Sequence, residues 1–380
     1  AATAWPKAPG VAEAMARSLE EVSSPGRGGH RLTIGASRLA EDAREAVAGL
    51  LGGDPERTLL GAGATFWLNT LLHSLVPDGG RVVTSGLEHN AVMRPLRWME
   101  HARGVEVRQV GSTAPGGVPS AAELAAEVRS GATHLVVVTH ASNVTGAVLP
   151  VEEIARAVAP TPVVVDGAQA AGSLPFDFKG SGLAAWTCSG HKGLLGPAGT
   201  GVLLVAEGVE PEPLVHGGTG SRSESEEMPG FLPDRLEAGT PNLPGIAGLG
   251  AACRWLAERS VEAVAEHGRQ LRDRLTGRLG EIVGCTLIAG GSGPVVGIVS
   301  FTLPGLDLGE AGARLDREHG ILLRPGLHCA PAAHRTLGTF PNGTLRAAIG
   351  PFTTTADVDA LADAVAALAP PVGRPPAWKQ

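Results

Sequence analysis

Three apolar runs limit what this chain can fold into: "RVVTS" at 81–85, "HLVVVTH" at 134–140 and "PVVVDG" at 162–167. Each is short and rich in β-branched residues, so each reads as a strand buried on both faces. Between and after them lie segments with helical periodicity: "NAVMRPLRWMEHAR", "SAAELAAEVRS" and "PVEEIARAVA". The second opens on a Ser cap, Ser120, answered by Glu123, and the third has Pro near its first turn. "VAEAMARSLEEV" and "SRLAEDAREAVAGLLG" add helices ahead of the first run, and "VEVRQV" adds a strand. Buried strands alternating with amphipathic helices require a mostly parallel sheet with helices on both faces, an α/β fold.

The pattern changes at 206–244, which is rich in Gly, Pro, Ser and Glu. A segment this long is functional or mobile rather than a simple connector. Beyond it, "IAGLGAACRWLAERSVEAVAEHGRQLRDRLTGRLG" reads as one long or broken helix. Strands "GIVSFTL" and "TLRAAIG" follow, with helices "DLGEAGARLDREHG" and "TADVDALADAVAAL". The expected organisation is a large α/β domain over 12–245 and a smaller α+β domain over 246–380, which segment 1–11 joins. "PPVGRPPAWKQ" reads as a frayed end.

Composition removes several function classes. The net charge is −7 and basic residues form no run, which argues against nucleic acid and against a polybasic membrane patch. No stretch reaches the ~18–20 apolar residues of a membrane helix, and no signal peptide is visible. The 4 cysteines, Cys188, Cys253, Cys285 and Cys329, have neither disulfide-framework nor zinc spacing. A reducing cytoplasm is the compartment this implies, with no metal site.

In parallel α/β sheets ligands bind beyond the carboxyl ends of the strands. Asp166 stands at such an end; Thr139, His140 and Asn143 follow another, and Glu88, His89 and Asn90 a third. "GAGAT" (61–65) precedes a helix whose free N–H groups, at Ala64 and Thr65, suit an anion. Ser189, His191 and Lys192 complete the set. Taken singly, each has an ordinary explanation as a cap, a turn or a packed polar group. Their convergence on several strand ends marks one site. The set suits an aromatic aldehyde phosphate. Thr65, Ser189 and His191 can hold the phosphate and Lys192 can form a Schiff base. Asp166 can keep a pyridine nitrogen protonated, His89 can lie against the ring and Gln169 can bond its hydroxyl. The chain has 0 tyrosines, so that hydroxyl has no Tyr partner.

"EHNAVMRPL", "THASNVTGAVLPVEEIA", "VVVDGAQAAGSLPFDF", "SGHKGLLGPAGTG", "EAGTPNLPGIAGLGAA" and "LLRPGLHCAPAAH" together resemble the class V branch of fold-type I pyridoxal-phosphate enzymes. Within it they are similar to the cysteine desulfurase and selenocysteine lyase group. "AAT" at residue 1 resembles the end of that family's N-terminal stretch, which implies that leading residues precede it. The resemblance implies a large domain with a mostly parallel seven-stranded sheet, a smaller C-terminal domain and pyridoxal 5'-phosphate as cofactor. It implies that Lys192 carries the cofactor and that Asp166, Gln169, His89, Ala64, Thr65, Ser189 and His191 surround it. "HGGTG" (216–220) resembles the loop that a second subunit lends to the phosphate through Thr219, which implies a homodimer. Asn143 and Arg346, with Arg324 in support, would hold the substrate carboxylate. One departure stands out: Phe66 follows Thr65 where the family often has an acid.

Cys329, in "RPGLHCAP", occupies the family's sulfur-acceptor position. A thiol near a helix start at Pro331 and beside His328 is in a setting that favours the thiolate. The implied reaction is removal of sulfur from L-cysteine, giving L-alanine and a persulfide on Cys329. The segment around Cys329 has no long insertion, like the group II enzymes, so a sulfur-acceptor protein is expected to come to the thiol. Alternatives remain: selenocysteine lyase on L-selenocysteine, another C–S lyase or class V aminotransferase-like activity, or a non-catalytic scaffold. No nucleotide fingerprint follows a strand.

Overall fold

The computed structural model describes residues 6–22, 25–26, 29–288, 290–291, 293–303 and 305–369. The expected frayed end and the "AAT" start lie outside these residues. Two helices come first, α1 (Val11–Glu21) and α2 (Arg31–Leu51). The main sheet is built from β1 (Thr58–Gly61), β2 (Arg81–Ser85), β3 (Glu106–Val110), β4 (Leu135–Thr139), β5 (Val163–Asp166), β6 (Ala185–Ser189) and β7 (Gly201–Val205). Its order is β1-β7-β6-β5-β4-β2-β3. Pairs from β3 through to β6 are parallel, and β7 runs antiparallel to both of its neighbours. The sheet thus has the expected strand number and is mostly parallel.

The continuous apolar runs are explained by burial on two sides. Val83, Val136, Val138 and Val165 face one core with Val47 and Leu51 of α2. Val82, Leu135, Val137 and Val164 face the other, against Trp67, Leu68, Leu71 and Leu72 of α3 (Ala64–Leu75) and Val92, Leu96 and Met99 of α4 (Asn90–Arg103). Each such side chain contributes about 1.5–3 kcal/mol by leaving water. α5 (Ala121–Arg129) and α6 (Val151–Val158) make the remaining crossovers. The Ser120–Glu123 capping box forms as expected at the start of α5.

The long helical pattern after 243 is broken. α7 (Leu243–Arg259) ends at Ser260, whose φ of 65° turns the chain before α8 (Val261–Gly280). The Ser260 hydroxyl caps the new helix by accepting the Ala263 amide at 3.3 Å. A second, antiparallel sheet follows, of β8 (Thr286–Ile288), β9 (Ile298–Thr302), β10 (Arg324–Gly326) and β11 (Thr344–Ala348), in the order β10-β11-β9-β8. α8, α9 (Leu308–His319) and α11 (Thr355–Leu368) pack on it around Phe301, Leu315, Leu345 and Val365. The short α10 (Pro331–Thr336) leads from Cys329 back toward β11.

Between β7 and α7 there is neither helix nor strand. This stretch is tied down by Glu237. Its carboxylate accepts both ends of the buried Arg44 guanidinium, at 2.7 and 3.0 Å, and the Leu60 amide at 2.6 Å. The second sheet reaches the first through the loop after β4: Ser300 Oγ donates to Val144 O at 2.5 Å and Val296 N to Gly146 O at 2.8 Å. No helix among the described residues is long and apolar enough to cross a membrane.

Candidate active site

The carboxyl edge of the main sheet gathers Ser85, Thr139, Asp166 and Ser189, the last residues of β2, β4, β5 and β6. A cavity of about 230 Å³ opens there. Its lining includes Ala64, Thr65, His89, Asn143, Asp166, Gln169, Ser189, His191, Lys192, Arg324 and Arg346. Residues spread from 64 to 346 therefore meet as the sequence led us to expect. A separate cleft of about 260 Å³ between α1, α2 and α7 contains none of them.

One end of the cavity is built for an anion. Gly63 precedes α3 with φ 143° and offers no side-chain cap, while its carbonyl takes the Phe66 and Trp67 amides at 3.1 and 3.3 Å. The turn is close-packed: a side chain on Gly201, the first residue of β7, would fall on the Gly63 backbone. Ala64 N donates to Ser189 Oγ at 3.1 Å, which joins the helix start to the end of β6. His191 Nδ1 is buried with no partner among the described residues. Burial, reinforced by Lys192, lowers the His191 pKa. Phe66 packs edge-on against Trp67, away from the lining.

The other end holds the amine and the acid. Lys192 sits in the turn after β6, and its pKa is lowered by burial; Asp166 opposes this and Arg346 adds to it. Asp166 is 4% exposed and accepts the Ala168 amide on Oδ1 at 3.0 Å. His89 caps α4 by accepting the Ala91 amide on Nδ1 at 3.0 Å. Its pKa is pushed down to about 4, mainly by burial, so near neutral pH the ring proton resides on Nε2.

The small sheet closes the cavity. Arg346 donates through Nη1 to Asn143 O at 2.8 Å, and Asn143 Nδ2 donates to His328 O at 2.7 Å. His328 and Cys329 have φ of 51° and 59°, and Cys329 O accepts the Asn90 amide at 2.8 Å. The exposed Cys329 thiol lines an adjoining cavity of about 410 Å³, together with Thr65, His89, Arg94 and Trp98. Thr65 and His89 line both spaces.

Two expectations, for His328 and His140, need revision. The imidazole beside Cys329 in sequence does not serve its thiol: His328 Nε2 pairs with Thr344 Oγ1 at 2.8 Å, and burial drives its pKa to about 3. The cation at the thiol is Arg324, whose Nη2 lies 3.1 Å from Cys329 Sγ. Arg324, expected to support the substrate carboxylate, lines the cavity and also places its guanidinium on the sulfur. Thr219, expected to act from a second subunit, does not line the cavity of its own chain; its hydroxyl pairs with Ser221 Oγ at 3.1 Å. His140, near the same strand end, points away and accepts from Trp186 Nε1 at 3.2 Å. Sequence reasoning missed the contact between Arg324 and Cys329; their closeness in "RPGLHC" was the available signal.

The donor set asks for a ligand with an anionic group at the start of α3, a carbonyl for Lys192 and a cationic ring nitrogen for Asp166. The comparisons agree with that demand. The family model described as aminotransferase class-V matches residues 1–361. A probable cysteine desulfurase of Methanothermobacter thermautotrophicus is 32% identical over 97% of this chain and 94% of its own length. One from Aeropyrum pernix is 36% identical over 85% of this chain and 82% of its own. Among solved structures, the apo cysteine desulfurase of Thermococcus onnurineus matches with a TM-score of 0.87 at 29% identity, over 94% of this chain and 90% of that one.

Proposed function

The chain belongs to the aminotransferase class-V family, and from that premise we propose that it is a pyridoxal-phosphate-dependent cysteine desulfurase with Cys329 as sulfur acceptor. The observation that carries the reading is the placement of the Cys329 thiol, on Arg324, in the space that adjoins the cavity of Lys192 and Asp166 and shares Thr65 and His89 with it.

The residues fit the cofactor. Lys192 would carry it, with Asp166 at the ring nitrogen, Gln169 at the ring oxygen and His89 on the ring face. Ala64, Thr65, Ser189 and the unpartnered His191 Nδ1 would take the phosphate. When bound, pyridoxal phosphate supplies an electron sink for charge at the substrate Cα.

The chain's own groups do the rest. Arg346 and Asn143 orient the substrate carboxylate, which points the substrate sulfur toward the mouth of the cavity. Burial lowers the Lys192 pKa, which favours the neutral amine that takes the Cα proton. Arg324 holds Cys329 Sγ, which attacks the substrate sulfur. The new S–S bond forms as the C–S bond breaks, carbon takes up a proton, and alanine leaves. Cysteine and the enzyme thiol thereby become alanine and an enzyme persulfide, with atoms and electrons balanced.

Two partners belong to this proposal. A second copy of the chain brings Thr219 to the phosphate, which makes the enzyme a homodimer. A sulfur-acceptor protein comes to Cys329, because the thiol cannot travel: the carbonyls of His328 and Cys329 are held by Asn143 and by the Asn90 amide. Free thiols at all four cysteines suit a reducing cytoplasm. The division into domains at 12–245 and 246–380 is retained as part of this reading.

The test is alanine formation from L-cysteine by wild type and Cys329→Ala. Wild type forms alanine and Cys329→Ala does not, while both keep the cofactor's absorbance. Equal alanine formation by the two would remove Cys329 from the reaction. Undiminished cleavage of selenocysteine by Cys329→Ala would point to a selenocysteine lyase.

A further inference from the structure

Glu88 precedes His89 in the turn between β2 and α4, yet its side chain lines neither cavity. It is 0% exposed. Both of its contacts converge on one oxygen. Oε1 accepts from Ser85 Oγ at 2.5 Å and from the Thr139 amide at 3.0 Å. Oε2 is buried and has no partner among the described residues.

These contacts join two strands of the site. Ser85 ends β2, and Thr139 ends β4 and lies in register with Asp166 of β5. Glu88 therefore fixes the His89 turn to the strand that abuts Asp166. No cation pairs with it among the described residues. An ionised carboxylate in that position is desolvated and repelled by Asp166. Protonated, it carries no charge to be desolvated: Oε1 accepts both donors and Oε2 carries the hydrogen. The titration behaviour agrees, since burial raises the Glu88 pKa to about 8 and the charge on Asp166 adds to the rise.

We propose that Glu88 is a positioning residue for the cofactor site, an uncharged acid that clamps the His89 turn to the end of β4 and leaves Asp166 as the only carboxylate lining the cavity among the described residues. The role rests on reading that cavity as the pyridoxal-phosphate site.

The experiment measures equilibrium binding of pyridoxal phosphate to apoenzyme and the pH midpoint of the bound cofactor's absorbance. It compares wild type with Glu88→Gln, Glu88→Ala and Ser85→Ala. Glutamine keeps the acceptor at Oε1 and places a donor at Oε2, so Glu88→Gln binds within about twofold of wild type with the same midpoint. Glu88→Ala loses both contacts, binds about tenfold more weakly and shifts the midpoint as His89 moves. Ser85→Ala, which removes one of the two donors to Glu88 and the acceptor of the Leu87 amide, weakens binding about threefold and serves if Glu88→Ala does not fold. Wild-type behaviour of Glu88→Ala, or of Ser85→Ala in its place, overturns the role. So does a Glu88→Gln protein that shares the defect of Glu88→Ala, because the charge would then be needed. A wild type that takes up no pyridoxal phosphate overturns the cavity reading and this role with it; failure confined to the variants overturns this role alone.

Discussion

Replacing Arg346 offers a quantitative test of how the substrate is held. The guanidinium is 4% exposed on β11, with Nη1 on Asn143 O at 2.8 Å and Nε buried and unpartnered among the described residues. Burial, with Arg324 adding, lowers its pKa to about 10, so it stays cationic at neutral pH. An α-carboxylate entering the cavity meets this fork already in position. Charge-assisted hydrogen bonds of this kind are worth about 1.5–3 kcal/mol, or roughly 10–150-fold in affinity. Arg346→Ala should raise KM for cysteine by that factor. Arg346→Lys keeps the charge but cannot serve Asn143 O and a carboxylate through one planar fork, so a rise of about tenfold is expected. The proposed contact would be made both before and during the reaction, so kcat should change much less than KM. The assay is alanine formation over a range of cysteine concentrations, with each variant first shown to hold the cofactor. An unchanged KM accompanied by a fall in kcat would refute the assignment.

Further outcomes follow from other contacts. Borohydride reduction of the holoenzyme should fix the cofactor to Lys192 in a peptide map, and Lys192→Ala should yield no labelled peptide. Gly201→Ala should weaken pyridoxal-phosphate binding about tenfold or more, because the added methyl displaces Gly63 and the start of α3; a titration of apoenzyme reads this directly. Glu88 should make stability depend on pH. Its folded pKa, about 8, lies above the ordinary 4.5, so the unfolded state loses that proton first. The stabilising contribution is full below about 4.5 and declines by about 1.4 kcal/mol per pH unit until the folded acid ionises near 8. Urea unfolding of wild type and Glu88→Gln at several pH values should show the wild type losing ground across that window, whereas parallel curves would contradict it.

What the sequence revealed depended on how local each cause was. β2, β4 and β5 announce themselves through uninterrupted β-branched residues, because both faces of those strands are buried. Asp166, Ser189 and Lys192 were legible as a group because parallel strands deliver their ends to one edge. The break at Ser260 was only half visible: the serine is an ordinary residue until its φ of 65° ends one helix and its hydroxyl starts the next. The partner of Cys329 was misread for a tertiary reason. His328 is adjacent in sequence, but consecutive positive φ values turn its ring toward Thr344, while Arg324 reaches the sulfur from β10. Thr219 lies beyond what one chain can show, since its expected role belongs to a second copy. Glu88 stands at a strand end, but its sequence neighbours give it no task, because its meaning lies in the burial of Oε2 and the register of Thr139 with Asp166.

The most direct measurement is the intact mass of the holoenzyme after exposure to a slight excess of L-cysteine, followed by peptide mapping. The account predicts a gain of one sulfur atom per chain, located on Cys329, with one alanine released for each sulfur retained. Alanine formed with no sulfur on Cys329, or sulfur carried by Cys188, Cys253 or Cys285 instead, would contradict it.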